Sequence, residues 1–252
     1  MGNMFSFISQ TWNPLGGHCS HECTYGWCTK LIEQRKMPKY QGKPYVVEKE
    51  LERSFAVDEF VFVQDMTDFC AGDVPDEARL RVLEVIRNSK ATFLLLSKNP
   101  RVYLNLIEDN QVPLNVILGV TLESNLSHWT LGKEWFYRDA INKAPSPSWR
   151  LQLLKSLANV SPVPLFIAVE PVLDFSLGSK QLLKVREKLG TPSDSFAEQL
   201  IALKPWAVAV GYDNYDTRLP EPPLEKTLEL IKRLEDAGVK VYKKTLRKAW
   251  YE

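Results

Sequence analysis

The stretch GGHCSHECTYGWCTK at residues 16–30 holds three of the chain's four cysteines, Cys19, Cys23 and Cys28, and two of its three histidines, His18 and His21. Thiolates bind soft metals and iron–sulfur clusters. Three of them can hold three irons of a four-iron cubane and leave the fourth iron open to an exogenous ligand, whereas a purely electron-transferring cluster normally has four protein thiolates. The same residues also suit a closed tetrahedral zinc site completed by His18 or His21. Three packed, unliganded thiols are a third reading, which Gly16, Gly17 and the polar neighbours disfavour. Cys70, further along the chain, is either a fourth ligand or a small packed residue.

The rest of the composition narrows the setting. With 252 residues, 44% hydrophobic and 25% charged, the chain falls in the ordinary globular range. One α/β domain over 1–252 is the expectation, since α/β barrels commonly run to about 250 residues undivided. The net charge of +1 gives no global reason to expect a polyanion. No run approaches the roughly 18 apolar residues of a membrane span, and no basic region precedes an apolar leader core. A cytosolic protein without a membrane partner is expected, and in a reducing compartment clustered cysteines mean metal or catalysis more often than disulfides.

Short apolar or β-branched runs alternate with segments of helical period, the pattern of parallel βα units. The expected strands are Phe5 to Gln10, Phe60 to Gln64, Thr92 to Leu96, Val116 to Thr121, Leu165 to Glu170, Ala207 to Gly211 and Val239 to Tyr242. The two clearest helices are VPDEARLRVLEVIRNS, with Leu80, Leu83 and Ile86 on one stripe, and PPLEKTLELIKRLEDAG, with Leu224, Leu228, Ile231 and Leu234 on one face and Gly238 as its cap. Weaker helical patterns cover Cys28 to Lys36, Pro100 to Asp109, Ser148 to Ala158 and Ser195 to Leu203. Two segments, near 37–57 and 126–147, fit no unit and read as insertions. Six or seven such units make a partial TIM-type barrel, and barrels gather their chemistry at the carboxyl ends of the strands.

Polar residues fall at those ends: Asp65, Thr67 and Asp68 after the second strand, Lys98 after the third, Thr121 and Glu123 after the fourth, Glu170 after the fifth, and Lys243 and Lys244 after the last. Any one of them alone is ordinary loop polarity. Asp65 and Asp68 also read as an acid–base pair, although loop-capping carboxylates are commoner. Lys98, Lys243 and Lys244 suit an anionic, phosphate-bearing substrate or are simply solvated. The tail KVYKKTLRKAWYE mixes basic and aromatic residues, as nucleic-acid contacts do; a solvated terminal helix explains the same letters.

Taken in order, QTWNPLGGHCSHECTYGWC, VFVQDMTDFCAGDVPDE, TFLLLSKNP, NVILGVTLES, LFIAVEPVL, WAVAVG and AGVKVYKK resemble the radical S-adenosylmethionine-like family of uncharacterised phage and prophage proteins, from residue 11 to about residue 244. The resemblance implies a partial barrel in which Cys19, Cys23 and Cys28 ligate a [4Fe–4S] cluster whose open iron takes S-adenosylmethionine. It further implies an electron donor, and a 5′-deoxyadenosyl radical acting on an unidentified substrate, with a nucleotide or nucleic acid as the candidate class. Carried over position by position, Tyr25 or Trp27 lines the adenine pocket, and Asp65, Thr67, Thr121, Glu123 and Glu170 contact the cofactor. The family spacing C-x3-C-x2-C is lengthened here by two residues in the second gap, with Gly26 placed to absorb them. QDMTD stands where the wider superfamily has a Gly-Gly-Glu element. A zinc-stabilised binding module and a degenerate barrel without a cluster remain the alternatives.

Overall fold

The computed structural model describes residues 4–126, 141–175, 195–215 and 217–252, together with the backbone of 128–131 and 134–137. Seven strands form one parallel sheet: β1 Gln10–Trp12, β4 Phe60–Val63, β5 Thr92–Ser97, β6 Val116–Thr121, β9 Leu165–Val169, β10 Ala207–Val210 and β11 Val241–Lys243, in that spatial order. Their near-continuous apolar runs suit a sheet covered on both faces. The sheet curls into an α/β partial barrel, as the alternation of elements predicts.

Alternation along each strand divides the core in two. Val61, Val63, Phe93, Leu95, Val208 and Val210 face the outer helices. Phe62, Leu94, Ile117, Phe166, Ala168 and Ala209 face the concave side. The helices are α1 Trp27–Arg35, α2 Glu48–Leu51, α3 Asp76–Arg87, α4 Arg101–Glu108, α5 Pro147–Val160, α6 Phe196–Ala202 and α7 Leu224–Asp236. The two predicted stripes hold in part. Leu83 and Ile86 on α3 and Ile231 and Leu234 on α7 are buried as expected, whereas Leu80 and Leu228 are 42% and 46% exposed, and Ala78 and Val82 on α3 and Thr227 and Leu230 on α7 complete the buried faces. Gly238 lies at φ +79 just past α7, where its amide bonds Glu235 O, as a helix-ending glycine should.

The first strand was expected over Phe5 to Gln10, but it begins at Gln10. The preceding apolar run is a plug. Phe5 and Phe7 stack at 5.4 Å, Phe5 meets Phe166 edge-on at 5.0 Å, and Phe7 lies 4.6 Å from the Tyr242 ring and 5.3 Å from Trp206. An open half-barrel leaves its concave face to be filled, and this segment fills it.

The expected insertions also acquire roles. Residues 37–57 contain a 3-10 turn at Pro38–Tyr40, β3 Tyr45–Val46 and α2; β3 pairs antiparallel with β2 Leu15–Gly16. The second segment carries an antiparallel pair, β7 His128–Leu131 with β8 Glu134–Tyr137; its residues 127, 132–133 and 138–140 lie outside the described residues. Among the described residues no helix is long and apolar enough to cross a membrane.

Phe5 is 2% exposed. Phe5→Ala is expected to cost about 3–5 kcal/mol, the usual range for emptying a buried aromatic site, measured by urea unfolding. A loss below about 1 kcal/mol would show that the plug is dispensable.

Candidate functional site

The cysteine loop begins where β1 ends, and its starting point is tightly held. Asn13 Nδ2 donates to Asp65 Oδ1 at 2.7 Å, and the Asp65 amide donates back to Asn13 Oδ1 at 3.0 Å. Next to it, the Leu15 amide donates to Gln64 Oε1 at 2.9 Å while Gln64 Nε2 donates to Leu15 O at 3.3 Å. The 37–57 segment straps over this exchange: Lys39 Nζ bonds Asn13 O, and the buried Trp12 indole donates to Glu50 O. Gly16 and Gly17 are required by the strap, because a Cβ on Gly16 would lie 2.5 Å from the Tyr45 ring and one on Gly17, at φ +93, 2.5 Å from Lys43 O.

Beyond Gly17 the loop is braced from the far side. The His21 carbonyl accepts from the Lys143 amide at 2.7 Å, and the Thr24 amide donates to Ile141 O at 3.0 Å. The His21 ring lies 3.2 Å from Asp68 Oδ2. Asp68 also accepts from Ser97 Oγ, the Lys98 amide and the Cys70 amide. Burial alone would raise this carboxyl, but His21 and the donated bonds outweigh it and hold it well below the usual range. Asp68 therefore ties together the loops after β1, β4 and β5.

Cys19 and Cys23 on this braced loop and Cys28 in the first turn of α1 are each half-buried. Burial pushes the Cys19 thiol up to about 12, with Asp68 adding to the rise. Burial raises Cys23 and Cys28 as well, and at both the Lys98 ammonium opposes it. Cys70 is fully buried in the helix-facing core and stands apart from the three. His18 is exposed, and the His21 ring is engaged with Asp68. Among the described residues no group of three His, Cys, Asp or Glu side chains converges on a single ion.

Behind the thiols lies a buried polar chain. Tyr25 Oη donates to Glu123 Oε1, Glu123 Oε2 lies 2.6 Å from Arg150 Nη2, and both charged side chains are fully buried. Arg150 also donates to the carbonyls of Pro145 and Thr121. Burial would raise Glu123, but Arg150 and Lys98 hold it below the usual carboxylate range. Lys98 Nζ sits 5.5 Å above the Tyr25 ring, and among the described residues it forms no ion pair. Burial would lower this ammonium, but Cys23 and Glu123 outweigh it and raise it.

Other predicted residues take different places. Asp65 is engaged with Asn13, and Thr67 donates to Gly17 O at 2.7 Å, so both support the loop. Thr121 is buried at the carboxyl end of β6. Glu170 pairs with Lys244 at 3.1 Å, which neutralises the cation expected to meet a substrate. Lys243 was expected at the mouth, yet it points to the helix side and pairs with Glu235 at 2.8 Å, because Tyr242 takes the concave position and strand alternation turns its neighbour outward. Trp27 opens α1 and is half-buried. Sequence reasoning passed over Asn13, Gln64 and Arg150. The TWNP and QD letters were visible signals, whereas an arginine within a helical pattern gives none.

Residues 3–130 match the model of a family described as a protein of unknown function, DUF5131, and the match spans just over half of the chain. The chain belongs to the DUF5131 family. Among curated proteins none matches this DUF5131 chain in sequence. Among solved structures it resembles a spore photoproduct lyase at 12% identity and TM-score 0.55, over 96% of this chain and 80% of that one. A second structure of that lyase, with bound AdoMet and dinucleoside spore photoproduct, aligns at 13% and TM-score 0.51 over 89% of this chain and 60% of the other. SuiB of Streptococcus suis bound to S-adenosylmethionine aligns at 10% and 0.51, over 95% of this chain and 51% of SuiB. This DUF5131 chain thus has a radical-SAM-like fold and spans between about half and four-fifths of those chains.

Removing one partner of a buried ion pair leaves a charge uncompensated, at about 3–5 kcal/mol. Glu123→Gln and Arg150→Met are each expected to lose that much in denaturant unfolding. The double substitution Glu123→Leu with Arg150→Met should lose less than either. Additive losses would contradict the coupling.

Proposed function

We propose that this protein is a radical S-adenosylmethionine enzyme whose Cys19, Cys23 and Cys28 hold a [4Fe–4S] cluster. The observation that carries the reading is the position of three half-exposed thiols, two on a braced loop and one in the first turn of the helix that follows it, at the carboxyl ends of a radical-SAM-like partial barrel and beside an ammonium without an ion-pair partner among the described residues. The donor set fits a cubane held at three corners with the fourth open. It does not fit a closed zinc site, because among the described residues no three His, Cys, Asp or Glu side chains converge on one ion. When bound, such a cluster with S-adenosylmethionine and one electron from a donor supplies a 5′-deoxyadenosyl radical that abstracts hydrogen from substrate.

The chain's own residues have definable tasks in this reading. Lys98 offsets thiolate charge at Cys23 and Cys28 and attracts an anionic group of cofactor or substrate. Tyr25, held by Glu123 and Asn142, belongs to the apolar cluster against which Cys23 packs. Thr121, Glu170 and Trp27 are the remaining candidates to line the cofactor pocket. Asp65 and Thr67 hold the loop in place. A nucleotide or nucleic acid is the proposed substrate class, supported by the dinucleoside found in one structural neighbour.

Anaerobic purification should yield iron and sulfide near four each per chain, with an absorption band that bleaches on dithionite. Reduction with S-adenosylmethionine should then release 5′-deoxyadenosine. Cys19→Ala, Cys23→Ala and Cys28→Ala should each lose most of the iron, and Cys70→Ala should keep it. Stoichiometric zinc, with no cluster after anaerobic reconstitution, would overturn the proposal.

A further inference from the structure

Four large aromatic side chains are exposed among the described residues, Tyr45, Tyr215, Trp250 and Tyr251. Beyond the carboxyl ends of β10 and β11, Trp250 lines a cavity of about 430 Å³ with Asp213, Asn214, Thr245, Arg247 and Lys248; Tyr215 follows Asn214 in the chain and Tyr251 follows Trp250. This is the end of the barrel that carries the cysteine loop. The two sites adjoin: Lys30, two residues beyond Cys28 on α1, places its ammonium 4.5 Å above the Tyr215 ring.

The tail that carries Trp250 is neither a helix nor loose. Glu221, 2% exposed, accepts two bonds from the Arg247 guanidinium at 2.7 and 2.8 Å and one from the Trp250 amide at 3.2 Å. The Trp250 indole donates to Leu219 O, and Tyr251 Oη donates to Glu221 O. Trp250 and Tyr251 meet edge-to-face at 5.5 Å. The Trp250 and Tyr251 side chains are thus tethered by hydrogen bonds while remaining 37% and 39% exposed, so ordering them on binding costs little.

Of the carboxylates at this ledge, Glu221 pairs with Arg247, the nearly buried Asp213 accepts from the amide and hydroxyl of Thr217, and Glu252 accepts from the amides of Leu224 and Ala249. Cations stand among the rings. Arg218 lies 5.8 Å over the Trp250 ring, and Lys248 is exposed on the cavity wall. Neither they nor Lys30 form an ion pair among the described residues. Rigid exposed rings flanked by unpaired cations stack bases and bind phosphates.

We infer that this ledge, Tyr215, Trp250, Lys30, Arg218 and Lys248, binds single-stranded nucleic acid and delivers it to the cysteine end of the barrel. As a substrate surface the ledge rests on the proposed radical chemistry; as a binding surface it stands alone. An unpaired strand is specified over a duplex because the rings can stack only on bases that are free of the helix.

The test is fluorescence anisotropy of the full chain with a fluorescein-labelled DNA of about twelve nucleotides, against the same sequence as RNA and as duplex. Saturable binding is expected, tighter for single strand than for duplex, with log K falling against log[salt] at a slope near −2, as roughly three phosphate contacts give. Tyr215→Ala and Trp250→Ala should each weaken binding at least about five-fold, and Tyr215→Phe should retain it. Arg218→Gln with Lys248→Gln should make the slope shallower by about 1. Thermal unfolding of each variant identifies loss of fold; if Trp250→Ala does not fold, Tyr215→Ala and Trp250→Phe decide. No saturable binding at ~50 mM salt, or duplex binding equal to single strand and unchanged by Tyr215→Ala, overturns the inference. Oligonucleotide binding by a protein that carries zinc and releases no 5′-deoxyadenosine would keep the ledge and remove the radical reading. The converse result would keep the radical reading and move its substrate elsewhere.

Discussion

Two reciprocal hydrogen-bond exchanges, Asn13 with Asp65 and Leu15 with Gln64, determine where the chain leaves the first strand. β1 has only three residues and pairs with β4 alone, so its own ladder gives it little hold. The side chains just past β4 extend that pairing by imitating backbone groups. Gln64 adopts φ +66 to do so, a conformation that costs a non-glycine residue about 1–2 kcal/mol; the bonds to Leu15 offset that cost. Everything downstream depends on this exit. Gly16 and Gly17 pass under the strap in one register only, and Thr67 bonds Gly17 O only if that register is kept.

The electrostatics of the mouth follow from how its buried charges are shared. A carboxylate as deep as Glu123 would ordinarily claim the nearest ammonium. Arg150 takes that role from α5, and its Nε and Nη1 donate to the carbonyls of Pro145 and Thr121. A buried ion pair contributes little net stability against a hydrophobic substitute. Its effect here is instead on location: with Glu123 already compensated, the charge on Lys98 remains available to Cys23 and Cys28. Arg150 also lies past the second inserted segment, whose end at Ile141–Lys143 bonds back to the cysteine loop. The end of the segment that fits no βα unit thus secures the cysteine loop through Ile141 and Lys143 and, through Pro145 O, the arginine of the ion pair.

The central strands were legible in the sequence because strands buried on both faces are apolar almost throughout, and no helix of that length reads the same way. β6 matches its expected bounds, and β4, β5, β9 and β10 differ by one residue at an end. The first strand misled for the same reason: an apolar run such as Phe5 to Ser9 can be a strand or a lumen plug, and only the open edge of the barrel decides. Leu80 and Leu228 misled because periodicity gives the spacing of a stripe and not its rotation about the axis. At the site, the three thiols were plain from spacing. Asp65 and Thr67 were placed at a strand end correctly, but whether a strand-end side chain points into the mouth or back at its neighbour's backbone depends on long-range partners such as Asn13 and Gly17. Arg150 left no local trace, since its partner lies 27 residues earlier on another strand end.

Net charge is the weakest of the whole-chain measures for the same reason. A total of +1 averages over residues that neutralise one another and residues that do not. Lys243 is cancelled by Glu235, Lys244 by Glu170, and Arg247 by Glu221; these pairs hold the last strand and the tail in place and leave no field at the surface. What a ligand meets is the remainder, and the remainder depends on geometry. Two lysines adjacent in sequence, Lys243 and Lys244, are both spent on structure, while Lys98, which reads as one more strand-end charge, forms no ion pair among the described residues and acts on Cys23, Cys28 and Glu123 through space. A cation's availability is set by which carboxylates have closer partners, and that information exists only once the strands are side by side.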